Sequence, residues 1–264
     1  KKGYKTVLSN GYYIDLMYPI ESHYLNDPMP KGLNLTTEEK ARILGGEAPM
    51  WTELATPETI DSRIWPRTAA IAERLWSAEN ITDVADMHRR LETISFRLEE
   101  LGLTHIRNKD VILRNIANNQ EIKSLNEFSN VCEPLKGYTR NKDGTEYKMY
   151  SPFTLFADAC TPDAKDALAF DNAVNQYLAN KSLENKSKVA MFLNKWIAVN
   201  NDLKELSNTA PLVRPVLPLA QKLSAASQQL LLVLDNKSTS KSEDLKNLIE
   251  ECNTKDHADV ELAV

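Results

Sequence analysis

Apolar residues in the second half of the chain recur at the spacing of an α-helix. In three stripes they return every three or four positions, which places them on one helical face. No glycine follows Gly144, and strand bends and hairpin turns usually need glycine. We therefore expect residues 150–264 to form a small antiparallel helical bundle. The stripes are Ala167, Phe170, Val174 and Tyr177; Val189, Phe192, Leu193, Trp196, Val199, Leu203 and Leu206; and Leu219, Leu223, Ala226, Leu230 and Leu234.

Helix-breaking and polar residues separate these predicted helices. Thr161 and Pro162 supply an N-cap and a proline at the first helical position, so the first helix should begin there. A group of three prolines between the second and third stripes predicts a connecting loop. The prolines are Pro211, Pro215 and Pro218. The polar run 236–244 predicts another connection, followed by a last short helix.

The first hundred residues combine strand-like and helical patterns. Residues 5–10 and 41–46 are rich in β-branched and apolar side chains, which is typical of short strands. Each is followed by helical signals, so this part of the chain is expected to be α/β. The predicted helices begin near Thr56, Trp65 and Thr82, and Gly102 ends the last of them.

A turn signal lies between the two halves. Residues Asn141–Gly144 predict a hairpin turn, because Asp-Gly is a strong turn dipeptide. The expected organisation is an α/β segment over 1–104, a connecting segment with this hairpin over 105–149, and a helical domain over 150–264.

Composition and charge exclude several classes of partner. With 32 Lys and Arg against 37 Asp and Glu, the net charge is −5, which gives no attraction to a phosphate backbone. We therefore expect no nucleic-acid partner. No apolar run approaches the ~20 residues that span a bilayer, so no membrane span is expected. The first residues show neither an initiator methionine nor the apolar core of a secretory signal, which suggests an excerpt from a longer chain.

Cysteine and histidine positions indicate neither a disulfide framework nor a metal site. Cys132, Cys160 and Cys252 are widely spaced, without a CxxC motif, and should be small buried residues. The four histidines never come within metal-ligand spacing of one another. We expect no metal and no cofactor.

Two short segments place an aromatic residue and a carboxylate two positions apart after a predicted strand. Tyr13 and Asp15 form one pair, and Trp51 and Glu53 form the other. In extended chain, both members of such a pair point to the same side. An indole beside carboxylates suits a pyranose, because the ring stacks on the sugar while carboxylates accept hydrogen bonds from its hydroxyls. The sequence thus presents a candidate sugar site.

More ordinary roles remain open for the same residue types. A tryptophan near a strand end is more often part of the core, and a carboxylate there is more often a helix cap or an ion-pair partner. For Glu47 a structural role is favoured. It lies in an apolar strand and is expected to be a buried carboxylate paired with Arg63 or Arg67.

Two stretches of the sequence resemble glycoside hydrolase family 20, which contains the β-N-acetylhexosaminidases. Residues 45–53, Gly-Gly-Glu-Ala-Pro-Met-Trp-Thr-Glu, and the run 61–77 are similar to the closing strand and helix of that family. Tyr13-Ile14-Asp15 resembles its Trp-Tyr-Leu-Asp element, with Tyr12 in place of the tryptophan. Pro49 and Thr52 depart from the cysteine and glycine that are usual there. The resemblance covers about residues 5–104, and the remainder is similar to a C-terminal extension of some bacterial members.

The resemblance implies a fold and a reaction. It implies the last two βα units of a (β/α)₈ TIM barrel, followed by a helical bundle domain. Family members hydrolyse terminal non-reducing N-acetylhexosamine residues, and the acetamido oxygen of the substrate acts as the nucleophile. Their general acid lies in a His-x-Gly-Gly-Asp-Glu motif, which this sequence lacks. The chain alone is therefore expected to be inactive.

The resemblance also implies roles for four residues and a setting for the enzyme. Tyr13 orients the acetamido oxygen, Asp15 and Glu53 bind the O4 and O6 region of the sugar, and Trp51 forms a wall of the pocket. Partners are glycans that contain N-acetylglucosamine or N-acetylgalactosamine, and the location is periplasmic or extracellular. Two alternatives remain: a noncatalytic carbohydrate-binding or structural module, and a lacto-N-biosidase-like glycosidase.

Overall fold

The computed structural model divides the chain into two compact units. The first contains residues 2–108 and 136–141, and the second contains residues 109–135 and the described residues from 155 onward. The structure describes residues 2–29, 31–52, 54–141, 155–237, 242–252 and 258–264. Most described residues are helical, and strands are few and short. The predicted limits 1–104, 105–149 and 150–264 stay a prediction.

Among its described residues, the first unit contains a two-stranded parallel sheet and five α-helices. Strand β1, Thr6–Leu8, pairs with β2, Ile43–Gly46, so that Thr6 lies opposite Ile43 and Leu8 lies opposite Gly46. Both predicted strands are confirmed, although each is shorter than the segment predicted. The helices are α1, Ile20–Tyr24; α2, Thr37–Lys40; α3, Ile60–Ile64; α4, Arg67–Trp76; and α5, Val84–Glu100.

Helices α1, α4 and α5 pack together around a small apolar cluster. It contains Ile20 and Tyr24 of α1, Ala70 of α4, and Met87 and Leu91 of α5. Helix α5 is the helix predicted to begin near Thr82, and Gly102, with φ +96°, follows its end in the left-handed conformation that favours glycine.

A polar network joins the same three helices. The Tyr24 hydroxyl donates to Glu73 Oε1 at 2.8 Å, and Arg90 Nη2 donates to the same oxygen at 2.7 Å. Arg90 thereby holds the pKa of Glu73 below its ordinary value. Because the carboxylate is satisfied from two helices at once, the network fixes their relative position.

Among the described residues, the second unit contains seven α-helices, a 3₁₀-helix and a small antiparallel sheet. Its core packs α10 against α7, α9 and α11. The helices are α6, Arg107–Ile116, which begins at the unit boundary; α7, Lys123–Ser129; α8, Leu155–Ala159; α9, Lys165–Ala179; α10, Leu183–Leu206; α11, Leu217–Leu234; and α12, Ser242–Cys252. The strands are β3, Cys132–Pro134, and β4, Val260–Leu262.

The apolar stripes predicted for α9, α10 and α11 form one continuous core. Trp196 lies at its centre, 1% exposed, with its ring centroid 4.8 Å from that of Phe170 and 6.0 Å from that of Phe192. All three cysteines are buried, as predicted. The antiparallel bundle arrangement itself stays a prediction.

Two predictions for this unit are corrected at helix ends. Thr161 and Pro162 do not begin a helix, because Asp163 follows with φ +63° and α9 begins only at Lys165. The three prolines do not form an irregular loop. Pro211–Val216 is a 3₁₀-helix, and Pro218 lies in the first turn of α11, where a missing N–H costs little.

The structure also differs from the prediction at the end of the chain. Residues Val260–Leu262 form a strand rather than a helix, because they pair with β3, so that Cys132 lies opposite Leu262. The predicted polar connection 236–244 is shorter than expected, since α12 begins at Ser242. Of the predicted hairpin turn, Asn141 ends a 3₁₀-helix, and residues 142–144 lie outside the described residues.

Replacing Trp196 by alanine should lower the free energy of unfolding by about 3 to 5 kcal/mol, because the cavity left among Phe170 and Phe192 cannot collapse fully. Urea denaturation of the 264-residue chain measures the loss. Trp76→Ala is the matched control, since that side chain is 93% exposed and its removal should cost less than about 0.5 kcal/mol. Equal losses in the two variants would show that Trp196 is not a core residue.

Candidate active site

The predicted site residues follow two neighbouring parallel strands. Because β1 and β2 are parallel, their carboxyl ends lie at the same edge of the sheet, where α/β proteins bind ligands. Glu47 N donates to Leu8 O at 3.0 Å, and beyond the strands Ile14 N donates to Pro49 O at 3.1 Å. The segments that carry Tyr13 and Trp51 are therefore bonded side by side.

A tight turn leads from β1 into the first segment. Tyr12 N donates to Ser9 O at 3.0 Å, and Gly11 adopts φ +87°, which suits glycine. We call residues Ser9–Tyr12 the β1 turn. The Tyr12 hydroxyl donates to Asn26 O at 2.7 Å, and burial raises the pKa of Tyr12 to about 12, with a smaller contribution from Asp27.

Glycine is required where the Tyr12 ring meets β2. Tyr12 is fully buried, and a Cβ atom on Gly46 would lie 2.6 Å from Tyr12 Cε2 and 3.1 Å from Leu75 Cδ2. Any larger residue at position 46 would displace the ring. The Tyr12 ring, Ile14 and Ile71 form an apolar cluster directly beneath the two segments, and Met50 packs against it.

The predicted geometry of the Tyr13 and Asp15 pair is wrong in one respect. Ile14–Leu16 form a 3₁₀-helix, with Tyr13 as its half-buried N-cap residue and Asp15 half-buried inside it. The two side chains are therefore not related by the two-residue repeat of a strand. The sequence pattern did not reveal this helical turn.

The second pair is only partly described. Trp51 lies in irregular structure and is 57% exposed, so its indole is not part of the core. Glu53 lies outside the described residues. Pro49 O accepts the hydrogen bond from Ile14 N, and Met50 packs against the apolar cluster of Tyr12. Trp51 follows with its ring exposed.

The predicted ion pair of Glu47 is wrong. Glu47 is exposed, and its Oε1 accepts a hydrogen bond from the Ser9 hydroxyl at the start of the β1 turn. The strand pattern did not reveal which side chains of so short a sheet are covered. Arg63 and Arg67 are buried, as expected, but they lie elsewhere.

The two buried arginines contact the residue that ends the 3₁₀-helix. Arg63 Nη1 and Arg67 Nη2 lie 3.6 and 3.5 Å from Met17 Sδ, and Arg67 Nη2 donates to Arg63 O at 2.5 Å. Met17 ends the 3₁₀-helix with φ +58°, and Gly137 N donates to Leu16 O at 2.8 Å. A left-handed methionine has no sequence signature, so this support was not predicted.

Neither a membrane helix nor a metal cluster is found in the described part of the chain. None of its helices is both long and apolar enough to cross a bilayer. No group of three or more His, Cys, Asp or Glu residues there has the arrangement of a metal site.

Comparison with known proteins finds a family whose model matches part of the chain. Residues 1–79 match the model of the glycosyl hydrolase family 20 catalytic domain. Over this segment the chain is similar to the catalytic domain of that family. Both strands, the β1 turn, α3, α4 and the candidate site residues fall within the family 20 match.

Relatives of family 20 type agree with the match. The chain is similar to the X-ray structure of Flavobacterium johnsoniae chitobiase, with 82% identity and a TM-score of 0.96, covering 100% of this chain and 40% of that one. It is 33% identical over 104 residues to human beta-hexosaminidase subunit beta, covering 38% of this chain and 18% of that protein. It is 35% identical over 120 residues to the chitooligosaccharidolytic beta-N-acetylglucosaminidase of Ostrinia furnacalis, covering 39% of this chain and 19% of that protein.

The chain covers only part of the length of each of these proteins. The chain spans about a fifth of the length of the curated relatives and 40% of the chitobiase chain. The similarity to family 20 falls on the unit that carries the candidate site. The model match ends at residue 79, ahead of the second unit.

Two buried histidines should make the stability of the chain depend on pH. Burial lowers the pKa of His23 and of His105, so below about pH 6.5 the unfolded chain binds more protons than the folded chain. The free energy of unfolding should therefore fall as the pH is lowered from about 6.5 to about 5.5, above the range in which ordinary carboxylates protonate. Urea denaturation at a series of pH values measures this slope.

A double variant isolates the two histidines. His23→Asn with His105→Asn should flatten the slope between about pH 5.5 and 6.5, since neither position then binds a proton on unfolding. His88→Asn is the control, because His88 is only partly buried and that change should leave the slope in place. An undiminished slope in the double variant would contradict the assignment.

Proposed function

We propose that this chain is the C-terminal part of an exo-acting β-N-acetylhexosaminidase. It would supply one wall of the pocket that binds a terminal non-reducing N-acetylhexosamine, and the hydrolysis would proceed by substrate-assisted retention. The observation that carries the proposal is the bond from Ile14 N to Pro49 O, at 3.1 Å, because it joins the Tyr13 segment to the Trp51 segment at one sheet edge. The proposed location is periplasmic or extracellular, which cell fractionation tests.

The proposed setting is a (β/α)₈ barrel in which β1 and β2 are the last two strands. Their parallel pairing supports this, since barrel strands are parallel and each is followed by a helix. Val7 and Leu44 on these strands are 48% and 60% exposed. Apolar side chains at such positions fill the interior of a closed barrel, so the remaining strands would cover them.

The proposed reaction needs groups that this chain does not contain. The acetamido oxygen of the substrate attacks the anomeric carbon, the glycosidic bond breaks, and a general acid protonates the departing oxygen. The product of this step is an oxazolinium ion, which water then opens with retention. The His-x-Gly-Gly-Asp-Glu motif of the general acid is absent from the sequence, so the acid would come from elsewhere in the barrel.

Four residues of the chain have proposed roles in this reaction. The Tyr13 hydroxyl donates a hydrogen bond to the acetamido oxygen and stabilises the charge that develops as the ring closes. Trp51 is exposed enough for its indole face to stack against the sugar. Asp15 and Glu53 accept hydrogen bonds from sugar hydroxyls near O4 and O6, and for Glu53 the proposal rests on the sequence motif.

Removing the Tyr13 hydroxyl gives the sharpest test of this mechanism. In the full-length protein, Tyr13→Phe should lower kcat about 10² to 10³-fold on an aryl N-acetyl-β-glucosaminide, as the loss of an oxyanion-type donor does. The fall should appear in kcat and kcat/KM together, because the bond forms in the transition state. Tyr4→Phe is the control, since Tyr4 is 76% exposed and lies before β1.

Two results would reject this mechanism. A well-folded Tyr13→Phe enzyme whose kcat falls less than about threefold would remove Tyr13 from it. A wild-type enzyme that cleaves the plain aryl glucoside equally well would show that the acetamido group takes no part.

Truncating Trp51 tests the sugar-stacking role. Trp51→Ala should lower kcat/KM about fivefold to tenfold, which corresponds to the ~1 to 1.4 kcal/mol of one aromatic contact, without lowering the melting temperature. Trp76→Ala removes a second exposed indole from the same unit and should leave the kinetics unchanged. Unaltered kcat/KM in Trp51→Ala would place Trp51 outside the sugar pocket.

A further inference from the structure

The β1 turn decides the direction in which the chain leaves β1 before it reaches Tyr13. Its single internal backbone bond, from Tyr12 N to Ser9 O, leaves the carbonyls of Asn10 and Gly11 to find donors elsewhere. Both of these residues are exposed, so bulk water alone would let the turn change shape. The donors that bind these two carbonyls therefore determine the shape of the turn.

Two side chains of the α1 region hold these two carbonyls. His23 Nδ1 lies 2.7 Å from Gly11 O, and Asn26 Nδ2 donates to Asn10 O at 3.0 Å. The Asn26 backbone carbonyl accepts in turn from the Tyr12 hydroxyl at 2.7 Å. The turn is thus bonded at three consecutive residues to one short stretch of chain.

The protonation state of His23 follows from its partners. A carbonyl oxygen only accepts, so Nδ1 carries the proton and donates it to Gly11 O. Nε2 is buried and has no hydrogen-bond partner among the described residues. Burial lowers the pKa of His23, with a further lowering from Arg67, so the ring is neutral with a single, directed N–H. Its one donor bond is spent on the β1 turn.

The fit of the turn against these side chains is close. A Cβ atom on Gly11 would lie 2.2 Å from Asn26 Nδ2, so the backbone reaches Asn26 only because residue 11 is glycine. His23 itself is 1% exposed and cannot move aside without disturbing its surroundings. The turn therefore has little freedom to adopt another shape.

We propose that His23 and Asn26 are positioning residues for Tyr13, which fix the β1 turn so that the Tyr13 hydroxyl is held where the reacting acetamido oxygen will lie. This inference rests on the proposed function, because it assigns a role relative to Tyr13. Positioning acts mainly in the transition state, where a displacement of about 1 Å at a reacting group costs up to ~10²-fold in rate. Loss of either donor should lower kcat with little change in KM.

A pair of His23 variants separates the donor from the bulk of the side chain. His23→Asn keeps an N–H near the position of Nδ1 and should retain kcat within about threefold, whereas His23→Gln moves its amide away from Gly11 O and should lower kcat about ten- to a hundred-fold. The measurement is kcat and KM of the full-length protein on an aryl N-acetyl-β-glucosaminide. His105→Gln is the control, because it alters another buried histidine, which bonds Ser95 Oγ, and should leave kcat unchanged.

A double-mutant cycle tests whether His23 acts through Tyr13. If it does, His23→Gln should lower kcat less than about threefold in a Tyr13→Phe background, since the hydroxyl to be positioned is already gone. Equal losses in both backgrounds would overturn the inference, as would equal kinetics of His23→Asn and His23→Gln. If His23→Gln does not fold, Asn26→Ala takes its place in the cycle, and additive effects or an unchanged kcat there would overturn the inference as well.

The outcomes for the two proposals are distinguishable. A wild-type protein that does not turn over the N-acetylglucosaminide rejects the proposed function and this inference with it. An active wild type with additive effects of His23 and Tyr13 rejects the inference alone.

Discussion

The parallel pairing of β1 with β2 determines where the candidate site residues lie. Parallel strands need a long crossover between them, so the two segments at their carboxyl ends come from parts of the chain far apart in sequence. The bonds from Glu47 N to Leu8 O and from Ile14 N to Pro49 O carry this pairing past the strands themselves. Without the pairing, nothing in the local sequence of either segment would bring Tyr13 near Trp51.

Polar groups hold the backbone around the candidate site as much as apolar groups do. His23 and Asn26 hold the β1 turn, while Arg63 and Arg67 contact Met17 at the end of the 3₁₀-helix. Hydrogen bonds in such low-dielectric surroundings are directional and costly to leave unmade, so they specify one backbone geometry more sharply than apolar contacts do. Under the proposed function, this geometry would hold the Tyr13 hydroxyl in one place.

Much of the fold follows from the sequence, because periodicity and glycine content report directly on local structure. The stripes of α9, α10 and α11 are confirmed, as are both strands of the first unit. What failed depended on distant partners or on single backbone angles. Strand β4 exists because β3 is there to pair with it, and the start of α9 is set by the left-handed conformation of Asp163.

The candidate site shows the same division. The residue types and their order after two strands suggested Tyr13, Asp15, Trp51 and Glu53, and the resemblance to family 20 gave them roles. The 3₁₀-helix at Ile14–Leu16 and the exposure of Glu47 were not predictable, since both depend on what packs against a very short sheet. His23 had no motif at all. Its importance is visible only from the carbonyl that it meets.

The two units differ in how much apolar burial supports them. Among the described residues, the second unit has one continuous core centred on Trp196, whereas the first has two small clusters, around Tyr24 and around Tyr12. Stability is not uniform across a structure, and a region with few buried apolar contacts opens at lower cost. The unit that carries the candidate site is therefore expected to open at a lower cost in free energy than the helical core.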